Sequence, residues 1–219
     1  MAKVAAASSS KSAPRKWTRR AEARPEEILD AALEEFTEKG FDAARMEDIA
    51  RRAGLSKGGV YLYFDSKEAL LKALIEAKIG PIAQNAQLIA QAGAADPINA
   101  LKLLARAAIS RFADPKVFAV PRLVVGLSGR FPEFAAHYRT HVVEVARAAL
   151  ESLVAAAIAR GEFRDIEPRA AVRAFIGPIL FEAMWTHVLR GESAFDTPEK
   201  LIEQHFDVVL HGLAKERTS

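Results

Sequence analysis

The chain has 219 residues, half of them hydrophobic and 27% charged, with 12 Gly and 10 Pro, a globular balance that excludes collagenous or broadly disordered character. It contains no cysteine, which removes a disulfide framework, a thiolate metal site and a cysteine nucleophile. Net charge is only +3, but residues 1–24 hold seven basic side chains against one acid, while residues 25–77 hold seven against twelve.

Residues 1–24 include Lys3, Lys11, Arg15, Lys16, Arg19 and Arg20, are rich in Ala and Ser, and show no apolar period, so they read as a disordered basic tail. Arg19-Arg20 leads into AEARPEE and not into an apolar core, which argues against an export signal; an organelle transit peptide is the competing reading to a nucleic-acid-seeking arm. From Pro25 onward the period is helical. Ile28, Ala32 and Phe36 recur every four residues, Leu29 and Leu33 widen the stripe, and Gly40 ends it. Further helix starts are written in Asp96-Pro97, Asp114-Pro115, Thr197-Pro198 and Pro168. Strand alternation is nowhere sustained, so the spacing predicts an all-α fold of about nine helices. No apolar run reaches the roughly 18 residues a membrane helix needs; the most apolar, Ala148 to Ala159, contains Glu151 and Ser152.

Residues 46–64 read MEDIARRAGLSKGGVYLYF. A tight helix-turn-helix needs a small residue where its helices cross, one tolerant of left-handed backbone in the turn, and an apolar lock on the second helix. Ala50, Gly54 and Val60 meet those needs in order. Ser56 then caps a second helix whose first turn presents Lys57, Gly58 and Gly59. Two glycines in so short a helix each cost about 1 kcal/mol relative to Ala, which points to close backbone approach by something outside the chain. A helix entering the major groove N-terminus first fits that requirement. Tyr61, Tyr63 and Lys67, the last behind a cap at Asp65 or Ser66, can bind phosphate; for the tyrosines, core packing is the competing reading.

The stretch from Pro25 to Ala77, with its IL-AAL-F--KGF, DIA--AGLSKGGVYLYF and SKEALL elements, resembles the DNA-binding domain of the TetR family of transcriptional regulators. The resemblance implies base contacts from Lys57 and Gly58 and backbone or thymine contact from Tyr61. It also implies phosphate contacts from Tyr63 and Lys67. Where that family commonly has Thr-Thr or Thr-Ser before helix 2, this chain has Ala44-Arg45, so the hydroxyl cap is lost and Arg45 offers a longer, charged contact. The acidic balance of residues 25–77 opposes DNA, but six acids (Glu26, Glu27, Asp30, Glu34, Glu35, Glu38) lie on helix 1, which can be held away from the duplex. The basic tail compensates, with Arg15, Lys16, Arg19 and Arg20 supplying salt-dependent affinity.

Residues 68–92 read as one helix, kinked at Gly80-Pro81. Leu101, Leu104 and Ala108 form one stripe, and Phe134, Tyr138, His141, Val145, Ala149, Leu153 and Ala156 another. Residues 170–189 are apolar on nearly all sides, with Gly177-Pro178 bending them. Residues 201–213 carry two stripes, Leu201/His205/Val208 and Ile202/Phe206/Val209/Leu213, so the last two helices predict a homodimer through a four-helix contact. The resemblance further implies that helices 4 to 8 enclose a cavity for a small-molecule effector. Candidate lining is Phe112, Phe118, Arg122, Tyr138, His141, Phe175, Phe181 and Trp185, each of which packing alone can also explain.

His137 and His141 stand one turn apart, but no third metal ligand accompanies them, and no catalytic or phosphate-binding Gly motif occurs. No metal, cofactor or enzymatic activity is expected. The division reads as tail 1–24, DNA-binding domain 25–70, and ligand-binding and dimerisation domain 71–219. The function reads as a cytoplasmic repressor that binds a pseudo-palindromic double-stranded operator as a dimer and is released by a small molecule. The alternative is a helical ligand-binding or assembly protein with a degenerate DNA-binding module.

Overall fold

The computed structural model describes residues 25–213, so the basic tail and its Arg15, Lys16, Arg19 and Arg20 lie outside the described residues. Nine helices, and no strand, occur among those described. They are α1 (Pro25–Lys39), α2 (Met46–Arg52), α3 (Lys57–Tyr61), α4 (Lys67–Leu74, continuing through a wide π turn Ile75–Ile79 into Gly80–Ala92), α5 (Pro97–Phe112) and α6 (Pro115–Leu127). Then follow α7 (Pro132–Tyr138, through a second π turn Arg139–Val143 into Glu144–Ala159), α8 (Pro168–His187) and α9 (Pro198–Leu213). None of them is long and apolar enough to cross a membrane.

The punctuation of the sequence sets these boundaries. Asp96 accepts a hydrogen bond from the Asn99 amide at 3.2 Å, Asp114 one from Lys116 at 2.8 Å, and the Thr197 hydroxyl one from Lys200 at 3.3 Å. Each is followed by a proline whose missing N–H costs a first helical turn nothing. Ser66, and not Asp65, caps α4, accepting from the Ala69 amide at 3.1 Å.

Pro81 shapes α4 differently. Its ring excludes the carbonyl four residues earlier and it donates no hydrogen bond, so the helix opens into the π turn just before it, with Ile79 at φ −110°. The helix therefore continues to Ala92 through a local distortion. A π turn also corrects the expected stripe of α7. The extra residue at 139–143 turns His141 to the surface and brings Val142 into the core, where it is 5% exposed. The two π turns pack against one another, at the contact between α4 and α7.

Buried apolar residues form two clusters. In the first, Ile28, Ala32 and Phe36 of α1, Ile49 of α2 and Val60 of α3 join Leu70, Leu71 and Leu74 of α4. They share that core with Val117, Val120 and Val124 of α6 and with Phe134 and Val142 of α7. The second cluster gathers Ala86 and Ala90 of α4, Leu101 and Leu104 of α5, and Leu150 and Leu153 of α7. Phe175 of α8 and Ile202 and Phe206 of α9 complete it. Ion pairs Asp42–Arg130 and Asp30–Lys78 add polar ties between α1 or its following loop and the rest of the molecule.

Candidate nucleic-acid interface

The turn between α2 and α3 is built from the three small or apolar residues whose spacing marked it. Ala50 is 2% exposed at the crossing, and Gly54 sits at φ +70°, where a side chain would strain the backbone. The Leu55 amide closes the turn on the Ala50 carbonyl at 2.8 Å, and Val60 is fully buried, locking α3 down. Ser56 caps α3 through its hydroxyl, which accepts from the Gly59 amide at 3.1 Å.

What α3 leaves outside is a compact, mixed surface. Lys57 and Gly58 are exposed and Gly59 is partly so, and helix geometry leaves the first amides of α3 without an intrahelical acceptor. A methyl group on Gly58 would meet nothing within 4 Å, and one on Gly59 only ordinary contacts with Ser56 and Leu55 at 3.4 Å and beyond. The fold itself therefore has no need of either glycine. Tyr61 and Tyr63 are 40% and 43% exposed, which removes the core-aromatic reading. Between them Leu62 is 84% exposed. Sequence reasoning passed over it, although a leucine between two surface tyrosines at a helix end is suited to apolar contact with sugars or thymine methyls.

The charged groups are arranged around this surface. Arg45 is exposed at the start of α2 with no cap bond, and no ion pair involving it occurs among the described residues. Lys57 pairs with Glu47 and lies 5.7 Å over the Tyr61 ring; that hydrogen bond holds the ammonium pKa above, and the Glu47 carboxyl pKa below, its ordinary value. Lys67 points inward. Its ammonium donates to the carbonyls of Phe41 at 2.7 Å and Asp42 at 3.0 Å and covers the Phe41 ring, fastening the loop after α1 to the first turn of α4.

The acids of α1 are largely neutralised inside the protein. Arg52, at the end of α2, bonds Glu34, Glu35 and Glu38 together, and Lys39 joins Glu35 at 2.8 Å and Asp48 at 3.0 Å. Glu35 is only 2% exposed. The Arg52 hydrogen bond keeps the Glu38 carboxyl below the usual carboxylate range. No spacing in the sequence singled out Arg52 as this hub.

The eight candidate lining residues do not surround one cavity. Phe112 and Phe118 meet edge to face at 6.1 Å, and Phe118 lies 5.6 Å from the His187 ring, whose Nε2 donates to the Phe112 carbonyl at 2.9 Å. Phe118 and Arg122 border a cleft of about 260 Å³ between α1, α6 and the end of α8. Phe112 borders another of about 260 Å³ between α5, α8 and the start of α9. Tyr138 is largely buried, which pushes its hydroxyl pKa up to about 12. His141 is exposed and stacks on His137 at 4.1 Å. Phe175 is 2% exposed inside the second cluster.

Phe181 and Trp185 stack on each other at 6.3 Å on the outer face of α8, where Leu180, Met184, Val188 and Leu189 are also exposed. On α9 the two expected stripes separate: Ile202, Phe206 and Val209 are buried, while Val208 is 74% exposed. No group of three or more metal-binding side chains occurs among the described residues.

Comparison with known proteins agrees with this architecture in both halves. Residues 28–74 match the model of the bacterial regulatory proteins of the tetR family, and residues 95–197 match that of the tetracyclin repressor-like C-terminal domain. The HTH-type transcriptional regulator YvdT of Bacillus subtilis is 51% identical over 51 residues, 23% of this chain and 26% of that protein. YerO, an HTH-type regulator of the same organism, is 29% identical over 196 residues, 88% of this chain and 66% of its own length. The chain thus spans about a quarter of YvdT and two thirds of YerO. The fatty acid degradation regulator FadR of Bacillus halodurans superposes with a TM-score of 0.70 at 24% identity, covering 87% of this chain and all of that one. With both halves matched in their order, and with a helix-turn-helix whose leading end is open, the chain belongs to the TetR family of transcriptional regulators and carries its DNA-binding domain.

Proposed function

We propose that the protein is a repressor that binds a pseudo-palindromic operator as a homodimer and is released by a small molecule, with residues 25–70 reading DNA and residues 71–219 holding partner and effector. The observation that carries the DNA reading is the empty space over Gly58, on an exposed helix end flanked by Arg45, Lys57, Tyr61 and Tyr63. A backbone left bare where the fold gains nothing from it suits close approach to the edges of bases. Lys67 contributes less directly, by fixing the loop that precedes α2.

The apolar residues on the outer faces of α8 and α9 support the dimer. Leu180, Phe181, Met184 and Trp185 stand exposed on successive turns of α8, and Val208 is exposed on α9. Pairing of the two helices with their twins gives a four-helix contact, and it lets two copies of α3 meet successive major grooves about 34 Å apart. A DNA reader of a bacterial family works in the cytoplasm. The test is selection of genomic fragments by the full chain, followed by a mobility shift and sedimentation of the complex. The expected result is a palindromic site bound by two copies; failure to enrich any sequence over bulk DNA overturns the reading.

A further inference from the structure

The cleft between α5, α8 and the start of α9 is lined by apolar side chains, among them Ile109, Phe112, Ile179 and Leu201, and by two carboxylates, Asp196 and Glu182, of which Glu182 has an oxygen, Oε1, with no hydrogen-bond partner. The other polar groups around it are engaged. Thr186 bonds back to the Glu182 carbonyl at 2.9 Å, Thr197 accepts from Lys200, Asp196 pairs with the Lys200 ammonium, and Ser193 accepts from the Phe195 amide. His187 has spent Nε2 on the Phe112 carbonyl. No ion pair to Glu182 occurs among the described residues. Glu182 itself is partly exposed, and a carboxylate on the wall of an apolar cleft with no cation beside it is a ready counter-charge for a bound cation.

We propose that this cleft takes a small organic cation, an aryl- or alkyl-ammonium, with Glu182 as its counter-charge, and that this is the effector class of the regulator proposed above, on which reading the inference rests. Apolar walls with a few convergent polar groups are the composition of a ligand pocket; Asp196 is already paired with Lys200, which leaves Glu182 as the free charge, and Phe112 and Phe195 supply aromatic lining that suits a cation. The volume of about 260 Å³ lies just below that of sites for drug-sized ligands, so it admits one ring with a short ammonium arm.

The cleft is placed to be felt elsewhere. Trp185 donates its indole N–H to the Glu192 carbonyl at 2.8 Å, pinning the loop that closes the cleft to the outer face of α8. On the other side His187 packs on Phe118 of α6, which adjoins the core that holds α1.

The test is calorimetric titration of the full chain with 2-phenylethylammonium, 2-phenylethanol and 3-phenylpropionate, which share a ring and arm but differ in charge. The cation is expected to bind at least tenfold tighter than either of the others, and Glu182→Gln to abolish that preference while raising or preserving the melting temperature. Equal affinity of cation and alcohol, or an unchanged preference in Glu182→Gln, overturns the proposal; if the variant does not fold, the three-probe series decides alone. Titration needs no DNA, so the two readings fail separately. Cation selectivity in a protein that binds no operator leaves this site standing and refutes the regulator, whereas an operator complex with no heat of cation binding refutes this site only.

Discussion

Replacing Gly58 with alanine separates what the fold needs from what DNA needs. The position is helical, no positive φ is required there, and the added methyl group meets nothing within 4 Å. A Gly-to-Ala change at such a site stabilises a protein by about 0.4–1 kcal/mol, chiefly by restricting the unfolded chain. For a chain of this size that raises the melting temperature by roughly 1–4 °C. In a DNA complex the same methyl group would occupy the space through which the α3 backbone approaches the groove. Forcing a methyl into a packed contact costs about 1–3 kcal/mol, or roughly 5- to 150-fold in affinity per half-site, and a symmetric dimer meets the cost twice. Scanning calorimetry and fluorescence anisotropy on the selected operator measure the two effects independently. The two effects are expected to have opposite signs. Unchanged operator affinity would show that Gly58 lies away from the contact, and a lowered melting temperature would show that the empty space is filled within the protein.

Other outcomes follow from the same geometry. Arg52→Ala should lower the urea midpoint more than Arg51→Ala, because Arg52 serves three carboxylates, one of them buried, while Arg51 serves only the partly exposed Asp48, which Lys39 also holds; equal losses would remove the hub. Deleting residues 1–20 should flatten the dependence of operator affinity on salt by several released counterions, and a slope that does not change would dismiss the tail. Burial holds the His205 imidazole below its ordinary pKa, against the opposing bond from its Nε2 to the Phe175 carbonyl. The unfolded chain protonates that residue near about pH 6.5. Stability is therefore complete above that pH and is lost as pH falls through it toward the folded pKa, and His205→Gln should shallow the decline of unfolding free energy from pH 7 to 5. Phe181→Glu should shift sedimentation from dimer toward monomer; a persistent dimer would place the interface away from α8.

Much of the fold was legible because its signals are local. A proline behind Asp or Thr, a serine hydroxyl ahead of a helix, and glycine at a left-handed turn act within four residues. The caps at Ser56, Asp96, Asp114 and Thr197 stand where the sequence puts them. The helix-turn-helix was legible for the same reason, since Ala50, Gly54 and Val60 each answer a steric demand of one turn. The period of α7 was not, because a π turn inserts a residue into a register that a four-residue ladder assumes to be constant. That turn packs against the π turn of α4, a contact that no window on α7 contains.

The lining residues show a second limit. Apolar side chains on every side of α8 satisfy a cavity, a core and a partner equally well, and Phe175, Phe181 and Glu182 went to different surfaces although they lie within eight positions of each other. What decides is rotation of the helix about its axis, fixed here by burial of Phe175 and Ile179 against α5 and α9.

The charge balance of the DNA-binding half was also only half readable. Its excess of acids counts against a polyanion only if they are unpaired, and Arg52, Lys39 and Lys78 pair Asp30, Glu34, Glu35 and Glu38 within the protein. Those bonds hold α2 against α1 and draw the acidic field back toward α1, away from Arg45 and Lys57. They also make the head stiff. Val117, Val120 and Val124 of α6 lie in one core with Ile28, Ala32 and Phe36 of α1, so the head and the rest of the molecule share a continuous packed core.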